Sequence, residues 1–516
     1  MSAPDPKPSH SDAAVIDVGS NSVRLVLYRL DGRALWTVYN EKVLAGLGRD
    51  LAATGCLAPA GVETAMVALG RFKALIDASR PNQVFAVATA AVRDAVDGPA
   101  FKQRVEAETG LTLRVLSGAE EARYAALGVL AGAPASTGLV GDLGGASLEL
   151  TPLESDKVGD GVTLPLGPFS FAEYGRFDGA RIEAAVARQL RPLGARFQTH
   201  TLNAVGGAWR NLAFLHMQLS HYPLEIIHQY EIGRNDALEA LRFVRQQSRA
   251  SLERIEGISR RRVDALPHAA VVLEGLIEHL GVQRVVMSAY GLREGLLLEA
   301  MRPADRRRDP LIEGCAALGS RYGVADALGT ALDAWLSGAF ATLEPVFGNR
   351  DGVLLAAAAR LAELGAQLHP DHRAELIFDQ VLRAPISGMT HPERAFLACA
   401  SYARHTANAA LPEPFILARL LSPERLLRAR ALGAALRLGC DLSGRSPELL
   451  AHATLEFRPN SVVLKADEGW AATLLGEQTA KRASTLAGLL GRSAKLRGRR
   501  GRASQAEDET EFAETF

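Results

Sequence analysis

The stretch AVIDVGSNSVRLVLYRL, residues 14–30, decides the fold. Val15 and Ile16 lead into Asp17, a small polar turn Gly19-Ser20-Asn21-Ser22 follows, and Leu25 and Val26 resume the apolar pattern. That order reads as strand, tight turn, strand. The pattern returns at 138–153, GLVGDLGGASLELTPL, where an apolar run again ends in an aspartate and a Gly/Ser turn. Asp17-Val-Gly-Ser-Asn-Ser and Asp142-Leu-Gly-Gly-Ala-Ser agree at the aspartate, the first glycine and the last serine. Two such hairpins predict a duplicated lobe.

Working outward, a helix is expected near 59–80, a strand at Gln83–Ala88, a helix at roughly 97–109 and a strand at Leu111–Leu116. Residues 201–217 and 282–301 each read as strand, turn, helix. Alternating strands and helices to about residue 300 predict an α/β architecture. The boundaries expected are a disordered leader 1–12, lobes at 13–135 and 136–305, a charged linker at 302–310, an all-helical domain 311–445, a small α+β domain 446–490 and a disordered tail 491–516.

Composition narrows the function. The chain carries 58 basic and 58 acidic residues, so no global positive field for nucleic acid exists, and an anionic substrate needs a local basic cleft. Cys56, Cys315, Cys399 and Cys440 are scattered without a CxxC pair, which argues against a zinc site or a disulfide framework. The polar, Pro-containing start lacks a signal-peptide core, and no apolar run reaches membrane length. A cytoplasmic protein is expected, with neither nucleic acid nor membrane as partner.

A strand-ending carboxylate before a glycine turn suits phosphate and a divalent metal. Backbone N–H groups can approach phosphate oxygens there, and the carboxylate can hold Mg²⁺. Either turn alone is an ordinary hairpin; the matched pair points to function. Ser117-Gly-Ala-Glu120 fits a capping box, which gives Glu120 a local task and leaves Glu121 without one. Glu121 can orient a water for in-line attack, or simply be a solvated helix-start acid. Arg93, just after a strand, suits a phosphate oxygen, with a surface arginine as the alternative. Gly206-Gly207 before a helix can bring amides to an anion, or form a plain turn.

Together Asp17-Val-Gly-Ser-Asn-Ser, Ala88-Thr-Ala-Ala-Val-Arg-Asp-Ala, Ser117-Gly-Ala-Glu-Glu-Ala-Arg, Asp142-Leu-Gly-Gly-Ala-Ser-Leu-Glu, Gly206-Gly207 and Tyr290-Gly-Leu-Arg-Glu-Gly resemble the exopolyphosphatase/guanosine-pentaphosphate phosphatase family of the actin-like ATPase superfamily. The resemblance covers residues 14–300 and becomes architectural beyond 311. It implies two actin-like (ribonuclease H-like) lobes, then an all-helical, degenerate HD-like domain and a small C-terminal α+β segment. It implies Glu121 as general base, and Asp142 and Glu149, with Asp17 as a further candidate, as Mg²⁺ ligands. Phosphate contacts are implied at Gly19, Ser20, Asn21, Ser22, Arg93, Gly144, Gly145, Ala146, Ser147, Gly206 and Gly207.

The implied reaction is hydrolysis of the terminal phosphoanhydride of inorganic polyphosphate, releasing orthophosphate. Its alternatives are removal of the 5′ γ-phosphate of pppGpp to give ppGpp, and a catalytically weak sensor of (p)ppGpp or polyphosphate. A sugar kinase or filament protein of the superfamily is disfavoured by Ser117-Gly-Ala-Glu-Glu-Ala. A homodimer is implied. Three departures stand out: Ala146 for glycine, where positive φ is expected to strain it; Leu148 for threonine, expected to remove a phosphate-facing hydroxyl; and Ala208 for threonine. In the helical region the family's His-Asp pair is Ala362-Glu363, so His369, Asp371, His372 and His405 are expected not to form a metal site.

Overall fold

The computed structural model describes residues 10–154, 157–174, 177–255, 260–408 and 410–498, in two compact units. The first holds the chain to Gly314 together with Pro385–His391; the second holds Cys315–Ala384 and the chain from Pro392 onward. No helix among the described residues is long and apolar enough to cross a membrane.

The first unit contains two sheets built on one plan. Strands β1 (Ser11–Val18), β2 (Val23–Asp31), β3 (Ala34–Val43), β4 (Gln83–Ala88) and β5 (Arg114–Val115) lie in the order β3-β2-β1-β4-β5. The first three run antiparallel, whereas β1, β4 and β5 are parallel. Because β1 is central, both its faces are covered, which explains a near-continuous apolar run rather than alternation. Ala14, Ile16 and Val18 join Leu69 and Phe72 of the helix Pro59–Ser79, while Ala13 and Val15 join Tyr124 and Val129 of the helix Gly118–Gly132.

The second sheet uses β6 (Gly138–Leu143), β7 (Leu148–Glu154), β8 (Lys157–Val158), β9 (Val162–Leu164), β10 (Thr201–Val205), β11 (Glu231–Gly233) and β12 (Arg284–Met287). Its order is β11-β12-β10-β6-β7-β8, with β9 also on β7. The β7-β6-β10-β12 core repeats β2-β1-β4-β5, confirming the duplicated, actin-like lobes. Each parallel strand of both sheets ends toward the site described below, as open α/β sheets require.

Several boundaries differ from expectation. Leader residues 11 and 12 already belong to β1, and residues 1–9 lie outside the described residues. Strand β3 was not foreseen, and the 111–116 strand shrinks to Arg114–Val115 because Leu111, Leu113 and Leu116 are spent on burial. The helix Leu292–Ala300, expected in the second lobe, packs with β1, β2 and the helix Gly118–Gly132. Two glycines permit this approach: a Cβ on Gly128 would lie 1.9 Å from the Gly291 carbonyl, and one on Gly295 would lie 1.9 Å from that of Tyr124. Within the 302–310 linker, Pro303–Arg306 is helical. Residues 385–391, inside the sequence range of the helical domain, belong to the first unit, where the Gly388 amide donates to the Gly132 carbonyl at 2.8 Å.

The second unit is helical, with a small sheet of β13 (Ala453–Arg458), β14 (Ser461–Ala466) and β15 (Ser493–Gly498). Strand β15 runs parallel to β14, so the tail expected to be disordered from 491 is ordered through Gly498; residues 499–516 lie outside the described residues. At the degenerate His-Asp position, buried Glu363 pairs with Arg404 and, at 2.9 Å, with Arg445. Cations thus occupy the place of a metal. His369 and Asp371 are exposed.

Candidate active site

Both hairpin turns close identically. The Gly19 amide donates to the Ser22 carbonyl at 3.0 Å, and the Gly144 amide donates to that of Ser147 at 2.9 Å. At each tip the carbonyls are taken by a neighbouring loop. Gly48 and Gly46 amides donate to Ser20 and Asn21 at 2.8 and 3.0 Å; Phe169 and Gly167 amides donate to Gly145 and Ala146 at 2.8 and 3.1 Å. The amides of Ser20, Asn21, Gly145 and Ala146 donate to nothing among the described residues. Satisfied carbonyls beside free N–H groups make an anion nest. The two tips meet, since a Cβ on Gly145 would lie 3.2 Å from the Ser20 Cβ.

Beside the second turn opens a cavity of about 460 Å³, lined among others by Arg93, Gly118, Ala146, Ser147, Phe169 and Ser170. Gly19, Asn21, Ser22, Gly206 and Gly207 do not line it. Gly206, at φ 114°, is a close-approach glycine: a Cβ there would sit 2.5 Å from the Leu143 carbonyl. Its position at the end of β10, like that of Gly207 at the start of the helix Gly207–Leu219, brings a third strand end to the same edge of the sheet.

The helix Gly118–Gly132 begins as the sequence predicts. The Glu120 amide donates to Ser117 Oγ, and Glu120 accepts from the Ser117 amide at 2.9 Å. Those bonds, with Arg114, pull Glu120 down to about 2. Its neighbour Glu121 turns inward, and its Oε2 accepts from Arg93 Nη1 at 2.9 Å. Burial pushes Glu121 up to about 7; Arg93 opposes the rise, and the charges of Asp142 and Asp17 add to it.

The register of the two hairpins puts different partners opposite their aspartates. Asp17 faces Arg24 across β1 and β2, whereas Asp142 faces Glu149 across β6 and β7. Asp17 also pairs with Arg293 at 2.8 Å. Asp142 is lifted to about 6 by burial, against the pull of Arg210, and Glu149 well above its ordinary value by burial and then by Glu121 and Asp142. Glu149 Oε1 is buried without a hydrogen-bond partner. Among the described residues no group of three or more His, Cys, Asp or Glu side chains gathers to hold a metal ion.

Two expected costs do not materialise. Ala146 is absent from the residues with positive φ, so its β-carbon is not strained. Leu148 is fully buried in the core of the second lobe, so a hydroxyl there would face apolar packing, not phosphate. Ala208 also packs against that core. Conversely, sequence reasoning gave no task to Arg293 and Glu294, although it quoted their motif. Glu294 accepts from the Tyr28 hydroxyl and, at 2.9 Å, from the Gly291 amide, while Arg293 holds Asp17. The signal available was Arg24, whose spacing from the first turn places it opposite Asp17.

The Ppx/GppA phosphatase family model matches residues 26–303, and one described as the C-terminal region of exopolyphosphatase matches residues 330–497. Among solved structures, the Aquifex aeolicus member of the Ppx/GppA family is 26% identical over 56% of this chain and 97% of its own, with a TM-score of 0.50. An exopolyphosphatase-like protein is 25% identical over 57% of this chain and 99% of its own, also at a TM-score of 0.50. An exopolyphosphatase from Cytophaga hutchinsonii shares the fold at 20% identity and a TM-score of 0.52, over 56% of this chain and 97% of its own. The chain belongs to the Ppx/GppA phosphatase family.

Proposed function

We propose that this phosphatase removes the terminal phosphate of inorganic polyphosphate with Glu121 as general base. The observation carrying the reading is a half-buried carboxylate raised to about 7, held by Arg93 at the rim of a cavity and beside two turns with free amides. Carboxylates ionised near neutrality match the task of taking a proton from water. Water oxygen forms a bond to the terminal phosphorus, Glu121 takes the proton, and the bridging P–O bond breaks, leaving the shortened chain with its electron pair. The amides at Ser20, Asn21, Gly145 and Ala146, with Arg93, would bind phosphoryl oxygens. The match of residues 330–497 to an exopolyphosphatase C-terminal model favours polyphosphate.

The residues fit Mg²⁺. Asp142 and Glu149 face each other as like charges, and the orphaned Glu149 oxygen calls for a cation or a proton. A Mg²⁺ needs only one or two carboxylates when water and phosphate oxygens complete its shell, so the lack of a three-ligand cluster is compatible with it. Asp142 and Glu149 would hold the ion, which would offset charge on the terminal phosphate; Asp17 is already engaged by Arg293.

One observation favours pppGpp as an alternative substrate: the Phe169 ring lines the same cavity and offers a face for a purine. Phosphate release from long-chain polyphosphate and from pppGpp, with Mg²⁺ and with excess EDTA, decides between them. Faster turnover of pppGpp would reject the polyphosphate reading, and undiminished release in EDTA would reject the metal.

A further inference from the structure

The second unit contains a cationic pocket that the catalytic reading leaves without a purpose. It lies among the helices His391–His405, Pro423–Ser443 and Glu477–Leu489, with a volume of about 50 Å³. A cavity of that size holds a few waters or one small anion. Arg430, Arg437 and Arg482 line it, all half-buried. Arg430 and Arg437 are seven residues apart on one helix and therefore share a face.

Their charge is poorly matched. Arg482 pairs with Asp441 at 2.7 Å, but Arg430 and Arg437 make no hydrogen bond or ion pair among the described residues. Burial, and then the nearby Arg482, hold Arg437 below its ordinary pKa. The carboxylates acting on the lining groups are Asp441, on Arg437, and Glu375, on Tyr402. Beyond them, Arg404 adds positive charge, and its own partner Glu363 is shared with Arg445. At the rim, Thr406 Oγ1 accepts from the Asn408 amide at 3.1 Å, which leaves its hydroxyl proton free to donate.

Withdrawing two guanidinium groups from water without a counter-charge costs stability, and nothing else in the pocket offsets it. Planar forks of N–H donors match the oxygens of a phosphoryl group, which only accepts. We propose that this pocket binds a phosphoryl oxyanion, at a site separate from the catalytic cavity of the first unit. The same chemistry is presented by free orthophosphate, by the end of a polyphosphate chain and by a nucleotide polyphosphate.

The test is calorimetric titration of the full chain with orthophosphate, a methylene-bridged tripolyphosphate and guanosine tetraphosphate. Wild type is compared with Arg430→Met/Arg437→Met and with Arg430→Lys/Arg437→Lys. In the methionine variant, one binding event should vanish or weaken by roughly tenfold or more, the scale of one charge-assisted hydrogen bond. The lysine variant should recover part of it. Whichever probe shows the loss identifies the source of the phosphoryl group. The unliganded methionine variant should melt no lower than wild type, because it loses unpaired charge and no contact partner. Phosphate release from a short substrate should be unchanged, which keeps this test independent of the role given to Glu121. Equal stoichiometry and affinity in all three proteins, for all three probes, overturns the proposal.

Discussion

The two hairpins share backbone, closing hydrogen bond and position in their sheets, yet their electrostatics are opposite. In the first, Asp17 faces Arg24 and pairs with Arg293, so the carboxylate is neutralised by the protein itself. In the second, Asp142 faces Glu149, and both are buried with raised pKa values. The same position across a turn is thus filled by a cation in one lobe and an anion in the other. The lesson is that duplication supplied the frame, while one cross-strand residue decides which lobe is self-sufficient and which demands an external cation or proton.

The largest expected effect concerns the acid that reads the second hairpin's charge. Glu121→Gln should lower kcat by about 10²–10⁴-fold with little change in KM, the range general bases contribute, as checked by steady-state phosphate release. Unchanged turnover would detach Glu121 from the contrast between the lobes.

Next, removing the aspartate should have opposite signs in the two hairpins. Asp17→Asn breaks a half-buried ion pair and should destabilise the unliganded protein by roughly 2 kcal/mol. Asp142→Asn relieves a buried like-charge pair and should leave stability equal or raised, while impairing catalysis. Thermal or urea unfolding of both variants without ligand or metal checks this; destabilisation of similar size in both would break the comparison. Leu148→Thr, which makes the second turn resemble its relatives, should cost about 2 kcal/mol, because the hydroxyl enters a dry core.

The pH dependence follows with its sign fixed. Glu121 and Asp142 have folded values of about 7 and about 6, above their ordinary 4.5 and 3.8. Folding therefore binds protons over that interval. Their contribution to stability is complete below the lower values and is lost as pH rises through about 6 and about 7. Unliganded stability should fall across this window, with a shallower slope in Asp142→Asn. The acidic limb of kcat/KM should have its midpoint near 7, because only the carboxylate accepts a proton, and Asp142→Asn should move it to lower pH. The smallest effect is expected for Ala146→Gly, at most about 1 kcal/mol and a few-fold in rate, since Ala146 is not held at positive φ.

Much of this was legible before the structure. The repeated Asp–x–Gly turn fixed two lobes, and the capping box separated Glu120 from Glu121, because both signals are local: a turn chemistry and an i,i+3 hydrogen bond. The Leu148 departure was misjudged because alternation along β7 was not carried through: Ser147 and Glu149 share one face, and Leu148 takes the other, in the core. The cost expected at Ala146 assumed a backbone angle that residue identity does not reveal. The engagement of Asp17 by Arg293 joins residues 276 apart, a distance no local pattern spans.

What the sequence determined alone, then, is the periodicity of strands and helices, the two phosphate-type turns and the identity of the acids, since these depend on neighbours a few residues away. Only the tertiary structure decided their charge states. A pKa depends on burial and on which charges lie within a few ångströms, and those distances exist only once β1, β6 and the helices Gly118–Gly132 and Leu292–Ala300 have packed together.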